Sequence, residues 1–197
     1  DGNNNGIVNG NIAPNYHNNS SIKWSSGAVY VYKRNSGSWT QEAYIKASNS
    51  GADDNFGTSV SIDNLTLVVG APREDSNEIS IFNGSSSSFD NSNRDSGAVY
   101  VYKRIGSSWA QEAYIKVQDS RSDDQFGYSV SLSGDLVAVG APYEDGRYEG
   151  IINDNYGYSQ SNDYDNGAVY IFHRVDNSWF QTAYIKQSEQ GNYDNFG

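Results

Sequence analysis

The sequence contains no cysteine and no methionine. Without cysteine there is no disulfide framework, no thiol chemistry and no cysteine-ligated metal. Basic residues are in the minority, with 13 Lys and Arg against 24 Asp and Glu and a net charge of −11. That balance argues against any partner recognised through a phosphate backbone, so nucleic acid is excluded. No apolar run approaches the roughly 18–20 residues of a membrane span. Apolar residues make up only 36% of the chain, and tyrosine, at 16 residues, supplies much of that surface. The expected core is therefore aromatic-rich and thin. Aromatics nevertheless reach 14% and recur at fixed positions, which does not fit a disordered chain. Asn, Ser and Gly together exceed a third of the residues, a composition suited to turns, long loops and a wet exterior. No signal peptide opens the sequence, and Asp1 begins mid-loop, so the expectation is a processed or excerpted piece of something longer.

What is present is a repeat. Ser-Gly-Ala-Val-Tyr-Val-Tyr occupies 26–32 and 96–102, and Asn-Gly-Ala-Val-Tyr-Ile-Phe occupies 166–172. Trp39, Trp109 and Trp179 keep the same spacing of 70, as do the Ala-Tyr-Ile-Lys segments at 43–46, 113–116 and 183–186. Phe56-Gly57, Phe126-Gly127 and Phe196-Gly197 complete the ladder. Segments 26–57 and 96–127 agree at 22 of 32 positions without a gap.

Each full unit holds four short strand candidates, rich in Val and Tyr and alternating as strands do. They are Ser59–Ile62 or Ser129–Leu132, then Leu65–Ala71 or Leu136–Ala141, then Gly27–Lys33 and its copies, then about Trp39 to Lys46 and its copies. Asp63-Asn64 and Gly134-Asp135 read as tight turns. Four antiparallel strands followed by the same four describe all-β architecture built of β-propeller blades with a 70-residue repeat. A β-solenoid is the competing repeat fold, although its coils are usually shorter. Residues 1–57 are expected to hold a long loop, a half-blade and a linker, 58–127 one blade, and 128–197 another. About two and a half blades result, and no closed ring is expected from this chain alone, since propellers close with four to eight.

Phe126-Gly127-Tyr-Ser-Val followed by Val139-Gly140-Ala141-Pro142 resembles the FG-GAP repeat of integrin α-subunit propellers, and Phe56-Gly57 with Val69-Gly70-Ala71-Pro72 is the second copy. The fuller pattern, with Gly-Ala-Val-Tyr-Val-Tyr, Ser-Trp and Ala-Tyr-Ile-Lys, is closer still to bacterial-type FG-GAP surface proteins. The resemblance implies an extracellular or cell-surface location, ligand contacts from the loops, and a part in adhesion. It does not carry over the family's Asp-x-Asp-x-Asp-Gly calcium loop, because Asp63-Asn64 and Ser133-Gly134-Asp135 are too short to wrap a cation.

In an antiparallel blade the strand 2–3 and strand 4–1 connections share one rim. Residues 1–25, 47–57, 72–96, 117–127, 142–166 and 187–197 then hold 19 of the 24 acids but only 5 of the 13 bases. The rim reads either as ordinary solvated loop or as a surface that collects cations or a basic partner. Asn91-x-Asn93-x-Asp95 and Ser161-x-Asp163-x-Asp165 offer alternate oxygens that suit Ca²⁺, or a capped turn. Tyr143, Tyr148, Tyr156, Tyr158 and Tyr164 cluster in the last long loop and are candidate contacts for a protein or glycan ligand. Asn18, Asn19, Asn64 and Asn83 open Asn-x-Ser/Thr sequons where glycosylation is sterically allowed. The repeating tryptophans are expected to wedge between blades, and Tyr30, Tyr100 and Tyr170 to face the next blade. No nucleophile–base pair and no phosphate loop can be assembled, so no enzyme is expected. Two functions remain: a non-enzymatic extracellular binding or adhesion module, and a structural repeat protein whose copies assemble into a filament or matrix.

Overall fold

The computed structural model describes residues 6–11, 23–146, 148–153, 165–189, 191 and 193–197. These residues form strands and turns, with no helix among them. The strands are β1 (Ile7–Asn9), β2 (Val29–Asn35), β3 (Ser38–Ile45), β4 (Ser59–Asp63), β5 (Thr66–Ala71), β6 (Ile81–Asn83) and β7 (Ala98–Ile105). They continue with β8 (Ser108–Ile115), β9 (Ser129–Ser133), β10 (Leu136–Ala141), β11 (Ile151–Ile152), β12 (Ala168–Val175) and β13 (Ser178–Ile185). Three antiparallel sheets result, in the orders β1-β3-β2, β4-β5-β7-β8-β6 and β9-β10-β12-β13-β11. The β2–β3 and β12–β13 hairpins turn on Ser36-Gly37 and Asp176-Asn177, where both residues take positive φ. That twist matches the right-handed twist of the flanking strands.

Four strands per unit is corrected to five in the second and third sheets. The connection between β5 and β7 is not all loop: Ile81, Phe82 and Asn83 return to pair with Ile115, Tyr114 and Ala113 on the outer edge of β8. In the third sheet β11 does the same against β13. Within the expected opening loop, Ile7–Asn9 pairs with β3 in the same register. These strands are two or three residues long, too short to alternate visibly, and they form because an outer sheet edge needs its N–H and C=O groups paired. The β4–β5 turn also lies one residue later than expected, on Asn64-Leu65.

The core sits between sheets. One apolar cluster joins Val31, Ala43 and Ile45 of the first sheet to Leu67, Val69, Tyr100, Tyr102 and Trp109 of the second. The other joins Val68, Val99, Val101 and Ile115 of the second sheet to Leu132, Tyr170, Phe172 and Trp179 of the third. Adjacent residues of β5 thus point into different clusters, as the two-residue period of a strand requires. Tyr100 and Tyr170 face the preceding unit, not the next one: the ring of Phe56 packs edge-on against Tyr100 at 5.2 Å, and Phe126 against Tyr170 at 5.4 Å.

The glycines of the two motifs have a steric reason. A Cβ on Gly70 would lie 1.9 Å from the carbonyl oxygen of Gly127, and one on Gly27 would lie 1.9 Å from that of Phe56. The Phe-Gly segment that follows a sheet crosses directly over that sheet and the next. Only glycine lets the backbones approach so closely.

Candidate functional site

The rim follows from chain direction. β5 ends and β7 begins at one end of the second sheet, where β8 also ends and β4 begins. Residues 72–97 and 116–127 therefore gather at that end, and 142–146 with 186–189 gather at the corresponding end of the third sheet. The buried Glu74 carboxylate anchors the first group. It accepts hydrogen bonds from Tyr114 Oη at 2.9 Å and Asn49 Nδ2 at 2.9 Å, and pairs with Lys116 Nζ at 3.1 Å. Glu144 repeats this with Tyr184 Oη at 3.0 Å and Lys186 Nζ at 2.6 Å. Both lysines are sealed from solvent, and burial pushes the Lys116 ammonium below its ordinary range. Burial and the neighbouring carboxylates push the Tyr114 and Tyr184 hydroxyls upward.

More acids crowd around each anchor. Asp54 accepts the Gly51 N–H, and Asp124 accepts the Arg121 N–H at 2.8 Å, so each caps its turn, as does Asp194 with Gly191. Burial, with Glu74 and Asp75 nearby, raises the Asp54 carboxyl to about 7. Burial, with Glu144 nearby, raises Asp124 to about 9. Asp119 stands where the first group has Asn49. It accepts from Tyr170 Oη at 3.1 Å, its other oxygen is buried without a partner, and burial beside Glu144 raises it to about 6. Asp95 and Asp165 are raised as well, mainly by burial.

The proposed calcium ladder does not converge on a point among the described residues. Asn91 is exposed. Asn93 donates to Ser120 O at 3.3 Å and accepts from Ser122 Oγ at 2.9 Å, which is the capped-turn arrangement. The Asp95 carboxylate lies 3.9 Å from Arg94, and its N–H, like that of Asp165, bonds to the aspartate before it in the rim, Asp75 or Asp145. Among the described residues no three His, Asp or Glu side chains are grouped to hold a metal. Asp163 lies outside the described residues, as do Tyr156, Tyr158, Tyr164, Asn18 and Asn19. Tyr143 packs edge-on against Tyr128 at 6.5 Å, and Tyr148 is exposed. Asn64 is exposed in its turn, while Asn83 is engaged by its Oδ1 with the third sheet.

That engagement belongs to a second feature, the junction between sheets. Trp109 donates its indole N–H to Glu42 at 3.1 Å and its backbone N–H to Asn9 Oδ1 at 2.8 Å. Arg104 grips the same Glu42 carboxylate with Nε at 2.9 Å and Nη2 at 2.5 Å, which holds the Glu42 carboxyl below its usual range. One repeat later, Trp179 donates to Glu112 at 3.1 Å and to Asn83 at 2.7 Å, and Arg174 pairs with Glu112 at 2.9 Å. The expected wedge is present at both junctions, but its polar partners were missed. Their signals are Ile-x-Asn at 7–9, 81–83 and 151–153, and Gln-Glu-Ala-Tyr at 41–44 and 111–114. A groove of about 720 Å³ opens beside the second junction, lined by Ile81, Asn83, Asn153, Trp179, Phe180 and Thr182 among others.

Repeated antiparallel sheets, joined by Phe-Gly crossings over glycine-bearing strand ends, define an all-β repeat protein. The FG-GAP repeat matches residues 39–102 and 109–172, more than half of the chain, and the chain belongs to that family. Each matched stretch runs from the tryptophan of one sheet through Phe-Gly and Gly-Ala-Pro to β2's counterpart in the next, and so spans one junction. No curated protein matches the sequence. Among the described residues no helix is long and apolar enough to cross a membrane.

Proposed function

We propose that the chain is a non-enzymatic binding module whose sheets are β-propeller blades and whose ligand contacts lie on the acidic rim. The observation that carries this reading is the crowding of carboxylates at one end of the sheets. Burial first, and neighbouring acids second, lift Asp54, Asp119 and Asp124 above their ordinary range, so the field comes from the exposed acids of the same rim, among them Asp53, Asp90 and Asp123. Such a surface focuses a negative field and attracts a cationic segment of a protein ligand. FG-GAP repeats are typical of extracellular or surface proteins, which supports display outside the cell and a part in adhesion.

The test uses a lysine-rich peptide and two triple variants of equal charge change. Asp95→Asn, Asp123→Asn and Asp165→Asn together remove three negative charges from the rim; Asp63→Asn, Asp135→Asn and Asp176→Asn together remove three from the opposite end. The expected result is loss of peptide binding in the rim variant only. Equal loss in both means that net charge alone draws the peptide, and the rim reading fails. A second reading, assembly between copies into filaments, is favoured by the exposed face of the first sheet, where Trp39 is uncovered. Electron microscopy separates the two: discrete particles support the module, and continuous threads support the filament.

A further inference from the structure

Beneath the rim, Glu74 holds two reactive side chains on its two carboxylate oxygens. Oε1 accepts the Asn49 Nδ2–H at 2.9 Å, and Oε2 accepts a Lys116 Nζ–H at 3.1 Å. Tyr100 donates its hydroxyl to Asn49 Oδ1 at 2.6 Å. Lys116, Glu74 and Asn49 are 2%, 1% and 7% exposed, and Tyr100 is sealed. An amine, an amide carbonyl and a carboxylate between them thus share a site that excludes water.

These are the parts of an acyl transfer. The Tyr100 hydroxyl draws electron density from Asn49 Cγ and is placed to hold negative charge that develops on Oδ1. Burial pushes the Lys116 ammonium below its ordinary range, toward the free amine that a nucleophile must be. Glu74 touches both the nucleophile and the leaving nitrogen, the position of a general base that also returns protons. Its plane is fixed by Tyr114 Oη and the Ser76 N–H, and Nζ is fixed by Ser96 Oγ at 2.7 Å. We infer that Lys116 and Asn49 join in an isopeptide bond formed by the folded chain itself, with Glu74 as the proton relay.

The step balances within the chain. Glu74 accepts a proton from the Lys116 ammonium, and the freed Nζ lone pair attacks Asn49 Cγ. As the Nζ–Cγ bond forms and the Cγ–Nδ2 bond breaks, Glu74 passes two protons in turn from Nζ to Nδ2. The products are a secondary amide and one ammonium ion, and Glu74 is again a carboxylate. No oxidant or second substrate is needed, and the fold supplies the proximity.

Asn49 lies between β3 and β4, and Lys116 directly follows β8, so the bond staples the first sheet's exit to the second sheet. The third sheet keeps the amine and the base, Lys186 and Glu144, but lacks the amide. Asp119 stands there instead and makes no hydrogen bond to Glu144 among the described residues, and an ionised carboxylate resists attack by an amine. The cross-link forms once per chain without turnover, and it does not depend on what the rim binds.

Intact mass spectrometry of the folded full chain, followed by digestion and peptide mapping, tests this on the wild type, Lys116→Arg and Glu74→Gln. The wild type is expected to be lighter than its sequence mass by one ammonia and to release a branched peptide joining Asn49 to Lys116. Both variants are expected at full sequence mass. A folded wild type at full mass overturns the proposal, and this holds even where a variant fails to fold. An ammonia loss that persists in Lys116→Arg belongs to succinimide formation at an asparagine and overturns it as well. A branched peptide that survives Glu74→Gln removes Glu74 from the relay and contradicts the mechanism.

Discussion

Trp39 and Trp179 occupy the same place in the same repeat, and their immediate neighbours are nearly the same. One is mostly in solvent and the other is 1% exposed. Nothing in the hairpins themselves accounts for this, since β2–β3 and β12–β13 pair in the same register and carry their bulge at the same point. The difference is what lies in front. Trp179 is covered by β6 and β8 of the preceding sheet, which bring Asn83 and Glu112, whereas no strand covers Trp39 among the described residues. In this fold a sheet does not bury its own aromatic face. Burial is a property of pairs of sheets, as expected of repeats whose units contact their neighbours.

The largest expected effect breaks that comparison directly. Trp179→Ala removes a fully packed ring and should cost about 3–5 kcal/mol in denaturant unfolding, while Trp39→Ala should change stability by under about 0.5 kcal/mol. Equal losses would mean that the first sheet's face is covered after all. Next in size is Glu112→Ala, which leaves the buried Trp179 indole N–H without its acceptor and takes one of the two carboxylate partners of Arg174, Asp135 remaining. A loss of about 3 kcal/mol is expected, and little should be regained by Arg174→Ala on top of it if the indole contact matters as much as the ion pair.

A smaller effect separates the two junctions from each other. Asn49 donates to Glu74 in the first, but Asp119 faces Glu144 in the second. Asp119 has a folded-state pKa of about 6, above the ordinary carboxylate value. Between about pH 4 and 6 the native state therefore holds a proton that the unfolded chain has released. Stability from this group is present at low pH and declines as pH rises through about 6. Asp119→Asn should remove that decline and raise stability at pH 7 by roughly 1–3 kcal/mol, read from unfolding curves at pH 5 and pH 7. A variant less stable than wild type at pH 7 would show that the Asp119 carboxylate is needed ionised. The smallest expected effect is that of a chelator: melting temperature should move little, because Asn93, Asp124 and Asp145 of the rim are engaged in turns. A drop of many degrees would mean a bound cation linked to folding.

The repeat period, the four inner strands and the Phe-Gly and Gly-Ala-Pro motifs were legible because the sequence states them two or three times over. The fifth strand was not. Ile81–Asn83 has no alternation to detect, and its only signal is the recurrence of Ile-x-Asn in otherwise dissimilar loops. The glutamates of the joint were hidden differently. Glu42 and Glu112 lie within a strand already assigned for its apolar residues, and their role needs the arginine of a sheet 62 residues further on. On the rim, the acidic bias was plain from composition, but which acids are buried against one another depends on how turns from two sheets meet. Asp119 and Asn49 look interchangeable in sequence and differ only once Glu144 and Glu74 are placed beside them.

The account rests on two tryptophans being sealed at joints and two standing open. Trp109 and Trp179 are 3% and 1% exposed, against 69% for Trp24 and 68% for Trp39. Acrylamide quenching of the native protein, repeated on Trp39→Phe and on Trp24→Phe with Trp39→Phe, measures this without destabilising either joint. Native emission should split into a readily quenched part and a protected part, and the double variant should retain only the protected, blue-shifted emission. Ready quenching of the double variant would place Trp109 or Trp179 in solvent and contradict the joint between sheets.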